Sequence, residues 1–152
     1  VGAFGAAAER LAPGRDAMRA ALERGLPCLG ICLGMQLLFD ASDEGEGAGL
    51  GLIAGRVRRL DARRVPQIGW NAIESADDPL LTAAPLSDVY YANSFVCRPD
   101  DTACVVAWST HESDRFPAVV RRARTLGAQF HPEKSSRAGL AFLAAWLEEA
   151  AR

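Results

Sequence analysis

The chain has 152 residues, 49% of them hydrophobic and 24% charged, with a net charge of −2, enough apolar material for one domain with its own core. So small a net charge gives no global attraction to nucleic acid or an anionic membrane surface, and no apolar run reaches the roughly 20 residues that span a bilayer. No secretory leader is read at the start, so the four cysteines, at 28, 32, 97 and 104, are expected to be reduced thiols of a cytoplasmic protein rather than a disulfide framework.

In chain order, Val1-Gly2-Ala3-Phe4-Gly5 reads as a loop entering a helix rather than a natural amino terminus. Residues 4–11 and 15–24 carry helical periodicity, interrupted at Pro13-Gly14 and closed by Gly25. Ala17, Met18, Ala21 and Leu22 are expected to form the apolar face of the second helix. Pro27 to Ile31 is a short apolar run, expected to be a buried parallel strand, and Leu33 to Asp40 resumes a helical pattern. Residues 41–51, rich in glycine and acids, read as a loop. Strands are expected at 51–60, 67–74, 88–98, 103–109 and 117–130, with a helical turn at 78–84. Residues 136–150 form a final helix with Leu140, Leu143, Ala144 and Leu147 as its apolar stripe. This order predicts an α/β sandwich with a mixed sheet.

Two motifs carry chemistry. In Gly30-Ile31-Cys32-Leu33-Gly34-Met35-Gln36 a cysteine stands between a strand and a helix, the layout of a nucleophile elbow. The helix N-terminus and a nearby imidazole are expected to favour the thiolate, and the Leu33 N–H is the natural oxyanion donor. The second motif, His131-Pro132-Glu133, follows a strand-like run. His131 is placed as general acid and base, with Glu133 reaching back to orient its ring. The reaction class is acyl transfer through a thioester. The other cysteines, 28, 97 and 104, read as small core residues. The two histidines are far apart in sequence, and the cysteine spacing does not fit a structural zinc site. His111 reads as a solvated turn residue, and the arginines at 56, 58, 59, 63 and 64 as a solvated strand face.

These motifs resemble the class I glutamine amidotransferases, with their Cys–His–Glu triad. Pro66-Gln67-Ile68-Gly69-Trp70-Asn71 and Phe130-His131-Pro132-Glu133-Lys134-Ser135 resemble the glutaminase subunits of imidazole glycerol phosphate synthase, and Val1 to Gly5 resembles the end of their oxyanion loop. The resemblance implies a flavodoxin-like α/β sandwich, here lacking its N-terminal strand-helix-strand segment, over one amidotransferase domain spanning 1–152. It implies Cys32, His131 and Glu133 as catalytic residues, and Val1, Gly2 and Leu33 at the oxyanion hole. Gln36 and the segment Asn93, Ser94 and Phe95 would hold glutamine; many relatives have His-Ser-Tyr in that segment, and Phe95 lacks the hydroxyl. Trp70, Asn71 and Lys134 would face a (β/α)₈ cyclase partner, although Trp70 on a strand also reads as a core aromatic. No metal or cofactor is implied, and no nucleic-acid or membrane partner. Ammonia from glutamine would serve the cyclase, which converts PRFAR into imidazole glycerol phosphate and AICAR in histidine biosynthesis. The rival readings are another class I amidotransferase subunit and an inactive module that only assembles a complex.

Overall fold

The computed structural model describes residues 3–74 and 76–152. Helices α1 (Phe4–Leu11) and α2 (Arg15–Glu23) lie where the periodicity puts them, joined by a 3₁₀ turn at Ala12–Gly14. Gly25 ends the second with φ +94°, its N–H donating to the Leu22 carbonyl; glycine takes that left-handed turn without Cβ strain. The apolar face of α2 is narrower than expected. Leu22 is buried, whereas Ala17 and Met18 are exposed.

The sheet that organises the site joins β1 (Cys28–Ile31), β9 (Thr125–Ala128), β8 (Asp114–Arg122) and β7 (Val105–His111), in that order. β1 and β9 are parallel, with Ile31 opposite Ala128, and the other pairs are antiparallel. A second ladder joins β2 (Ala41–Ser42), β3 (Gly55–Arg59) and β6 (Phe95–Pro99). A third pairs β4 (Gln67–Ala72) with β5 (Asp88–Asn93). The mixed character expected from sequence is present, but two expected strands are each divided. Residues 88–98 break at Ser94, because β5 and β6 serve different ladders. Residues 117–130 contain a hairpin that turns at Ala123, with φ +52°. β2 falls in the expected loop; it exists through its pairing with Arg56 and Val57.

Helix α3 (Leu33–Gln36) is half the expected length. The carbonyls of Leu37, Leu38 and Phe39 accept bonds from the backbone N–H groups of Leu50, Leu52 and Gly51 at 2.7, 2.9 and 3.2 Å. The following loop thus takes the partners a continuing helix would have used. Helix α4 (Pro79–Ala83) is capped by Asp78, whose carboxylate accepts from the Leu80 N–H at 2.9 Å. Helix α5 (Ser136–Ala150) closes the chain. It buries Gly139 and Phe142, with Leu143 and Trp146 packed beside them, and leaves Leu140 and Leu147 exposed. The expected stripe is therefore rotated: the helix is apolar around much of its circumference, so periodicity alone does not choose the face.

Two hydrophobic clusters form the core. One contains Phe4, Leu22, Met35 and Leu38 from α1, α2 and the segment after the elbow; the other contains Leu80, Tyr91, Phe116, Phe130 and Phe142. The Tyr91 hydroxyl and Ser109 Oγ lie 2.6 Å apart, and Ser109 Oγ donates to the Ala72 carbonyl, tying β5, β7 and β4 together. Arg121 on β8 bridges Asp78 and Glu149, each at 2.6 Å, and so anchors α4 and α5. Among the described residues no helix is long and apolar enough to cross a membrane.

Gly30 allows the backbone of α3 to lie directly on β1: a Cβ there would meet the Gly34 carbonyl carbon at 2.6 Å and the Met35 nitrogen at 2.8 Å. Gly30→Ala should destabilise the fold by about 1–3 kcal/mol through overpacking, measured as a lower urea midpoint at unchanged slope. An unaltered midpoint would contradict this packing.

Candidate active site

Cys32 stands at the C-terminal end of β1 with φ +49° and ψ −103°, a strained backbone for a residue with a Cβ. Its N–H donates to the Ala128 carbonyl of β9 at 2.7 Å, and its own carbonyl accepts from the Gln36 N–H. Bonds on both sides of the residue hold the turn in place. The neighbouring Leu33 N–H favours the sulfur anion, and the position a Cβ would take on Gly34 is open space. The strand–cysteine–helix elbow read from sequence is present.

β9 ends at Ala128, so the parallel pairing brings the second motif to the same end of the sheet. The His131 N–H donates to the Tyr90 carbonyl at 2.8 Å. Pro132–Lys134 form a 3₁₀ turn, which carries Glu133 back toward the ring. Glu133 Oε1 lies 2.8 Å from His131 Nδ1. That contact assigns the proton to Nδ1 and leaves Nε2 for chemistry.

Gln36, Asn93, Ser94 and Phe95 line one recess with Cys32 and Leu33. Gln36 and Asn93 are buried, and both donate from their side-chain amides to the Phe95 carbonyl at 3.1 Å. Two further residues join this region without having been singled out in the sequence. Glu44 lines the recess and accepts from the Phe4 N–H at 3.0 Å. Its carboxylate was indistinguishable from the other acids of a glycine-rich loop. Gln129 is fully buried with its amide nitrogen 3.7 Å from Cys32 Sγ. It lies just beyond β9, where no strand periodicity marks it. Val1 and Gly2, expected at the oxyanion hole, lie outside the described residues.

The expectation of a lowered Cys32 pKa is corrected. Burial pushes the thiol up, the bond from Leu33 pulls it partly back, and the nearby Glu133 and Glu44 carboxylates raise it again. A four-residue helix supplies little opposing dipole. Cys97 is fully buried and its thiol is pushed well up by burial, while Cys28 and Cys104 are half-buried against the core. These three fit their reading as packing residues.

Trp70 is 55% exposed, which corrects the core alternative. Its ring meets Tyr90 edge-on at 6.1 Å, and the Lys134 ammonium lies 5.7 Å from the same Tyr90 ring. Trp70, Tyr90 and Lys134 thus form one surface cluster close to His131. Asn71 does not join it through its side chain. Adjacent strand residues point to opposite faces, and the Asn71 amide donates inward to the Thr110 carbonyl at 2.9 Å. Arg58 and Arg59 are exposed as expected; His111 is held by the Arg64 carbonyl at 2.7 Å rather than merely solvated.

Residues 2–149 match the family described as glutamine amidotransferase class-I. The chain belongs to the class-I glutamine amidotransferases. This amidotransferase is 47% identical over 152 residues to the "Imidazole glycerol phosphate synthase subunit HisH" of Symbiobacterium thermophilum, covering 96% of this chain and 71% of that one. It is 47% identical to a protein of the same name from Thermus thermophilus, covering 85% of this chain but 64% of the relative. A solved glutamine amidotransferase superposes with a TM-score of 0.66 at 23% identity, over 91% of this chain and 68% of that one, which supports the shared fold.

The raised thiol gives a direct expectation. Alkylation of Cys32 by iodoacetamide should rise with pH to a midpoint above the ordinary thiol value of about 8.5. Glu44→Gln should move the midpoint down by removing a like charge. A midpoint at or below neutrality in the parent protein would contradict the burial argument.

Proposed function

We propose that this chain is the glutaminase of an imidazole glycerol phosphate synthase, acting in histidine biosynthesis. It hydrolyses glutamine to glutamate and ammonia, and the ammonia passes to a (β/α)₈ cyclase subunit. The observation that carries the reading is that the strained Cys32 turn and the His131–Glu133 pair follow two adjacent parallel strands at the same end of the sheet. The family match supports the reaction, and the HisH relatives support the synthase.

In this reading His131 Nε2 takes the thiol proton and Cys32 sulfur attacks the glutamine amide carbon. The Leu33 N–H, the amide next after the nucleophile, stabilises the oxyanion that forms. His131 returns the proton to the departing nitrogen, ammonia leaves, and a γ-glutamyl thioester remains. His131 then deprotonates water, which attacks the thioester and releases glutamate and the free thiol. Glu133 holds the ring and stabilises the imidazolium in both halves. Glu44, the carboxylate of the recess, supplies a counter-charge for the substrate's α-ammonium. Because burial disfavours the free thiolate, proton transfer is coupled to substrate arrival.

The exposed Trp70 and Lys134, with the half-buried Tyr90 between them, form the surface for the cyclase. An aromatic pair with an adjacent cation is the kind of anchor that dominates interface energetics. The cluster connects directly to the site through the Tyr90 carbonyl and the His131 N–H.

In the complex, Cys32→Ala should abolish glutamine-dependent synthesis while ammonia-dependent synthesis persists. Retained glutamine use would refute the assignment, as would failure of a glutamine-derived electrophile to label Cys32 in the complete protein with its cyclase. Replacing His131 by alanine should lower kcat by about 10²–10⁴-fold. Trp70→Ala should weaken cyclase binding by about 2 kcal/mol or more, roughly 30-fold in Kd, read by calorimetry; unchanged affinity would remove Trp70 from the interface.

A further inference from the structure

The side chain of Gln129 is buried and belongs to a row of amides whose polarity is set at one end. The row begins at the Phe95 backbone carbonyl, which can only accept. Gln36 Nε2 lies 3.1 Å from that oxygen and must donate to it. The same NH₂ group lies 3.3 Å from Gln129 Oε1, to which its second hydrogen is directed. Gln129 therefore presents oxygen to Gln36 and its own NH₂ group to Cys32, with Nε2 3.7 Å from Sγ. That distance suits a bond to sulfur, whose radius exceeds that of oxygen. A reversed Gln129 amide would set its NH₂ group against that of Gln36, losing that contact, and would offer the sulfur an oxygen that a thiol can meet but a thiolate cannot. Gln129 has 0% exposure and Gln36 5%, so water offers little compensation.

We infer that Gln129 is a further catalytic residue, donating a hydrogen bond to the Cys32 thiolate, with Gln36 and the Phe95 carbonyl holding the donor in that orientation. The need for such a donor is visible at the site. Glu133 and Glu44 are the carboxylates that disfavour the thiolate, and the neighbouring Leu33 N–H offsets the combined effect only in part. A charge-assisted bond from a fixed, buried amide stabilises the sulfur anion before attack and as it is released from the thioester. Gln36 then has a second task besides lining the recess: it transmits the polarity of a backbone carbonyl to the nucleophile.

The inference rests on Cys32 being the nucleophile, so labelling of Cys32 in the parent protein is checked first; its failure would be a failure of that reading. The test compares parent, Gln129→Met and Gln129→Glu proteins, each complete and assembled with the cyclase. Co-elution of each variant with the cyclase on size exclusion reports an intact complex. The pH midpoint of Cys32 alkylation and the separate kcat and KM for glutamine are then measured. In Gln129→Met the midpoint should rise by about one unit and kcat should fall about tenfold or more, with a smaller change in KM. In Gln129→Glu, which retains an acceptor for Gln36 but turns an anion toward the sulfur, the midpoint should rise at least as far. Should the methionine variant not assemble, the glutamate variant carries the same expectation. An unmoved midpoint in an assembled variant overturns the inference, as does a loss confined to KM, which would leave Gln129 only a support for Gln36.

Discussion

The parallel pairing of β1 with β9 is the constraint on which the site depends. Four residue pairs, from Cys28 opposite Thr125 to Ile31 opposite Ala128, bring together segments nearly a hundred positions apart in the chain. Parallel strands end on the same side, so a residue just beyond each finds itself beside the other's continuation. The register then extends one bond further, from the Cys32 N–H to the Ala128 carbonyl. That bond holds the strained elbow and places it three residues from His131. An antiparallel pairing of the same segments would have sent the two motifs to opposite ends of the sheet.

Burial and reactivity pull against one another at this site. The interior that holds Cys32 in a fixed turn also raises its thiol pKa, and the carboxylates of Glu133 and Glu44 add to the effect. Each carboxylate has another use, one orienting His131 and the other holding the Phe4 N–H beside the recess. The compensation comes from the neighbouring Leu33 amide and from the side chain of Gln129, whose NH₂ group faces the sulfur. In the proposed reaction this half-buried thiol stays protonated until a substrate and the imidazole share its proton. Such a resting state suits an enzyme whose product, ammonia, is useful only when an acceptor is ready. The Tyr90 carbonyl, carried on the residue that contacts Trp70 and Lys134, links the surface cluster to His131 through one backbone hydrogen bond.

Much of the fold was legible locally. α1, the cap at Gly25, the span of β1, the short helix at Pro79–Ala83 and the span of α5 each follow from periodicity and punctuation within a few residues, although β1, expected to be buried, is half-buried at the edge of its sheet. What was misread shares one cause. α3 stops early because residues 50–53 take its carbonyls, β2 exists through its pairing with β3, and β5 parts from β6 because the two join different ladders. The rotation of α5 and the narrow face of α2 reflect the same limit: where a helix offers more than one apolar face, its neighbours choose between them.

The sequence by itself determined the chemistry: a cysteine in an elbow, a histidine with a carboxylate two residues on, and a tryptophan whose neighbours pointed to one family. Those are local properties of residue type and spacing, and a short window contains them. Tertiary structure alone decided the electrostatics and the supporting contacts. It set the direction of the thiol's pKa, turned Trp70 outward and Asn71 inward, and brought Glu44 and Gln129 to the recess. Burial and hydrogen-bond polarity arise from residues distant in the chain. No window around Cys32 contains the Phe95 carbonyl that orients Gln36, or the Gln129 amide that in turn faces the sulfur.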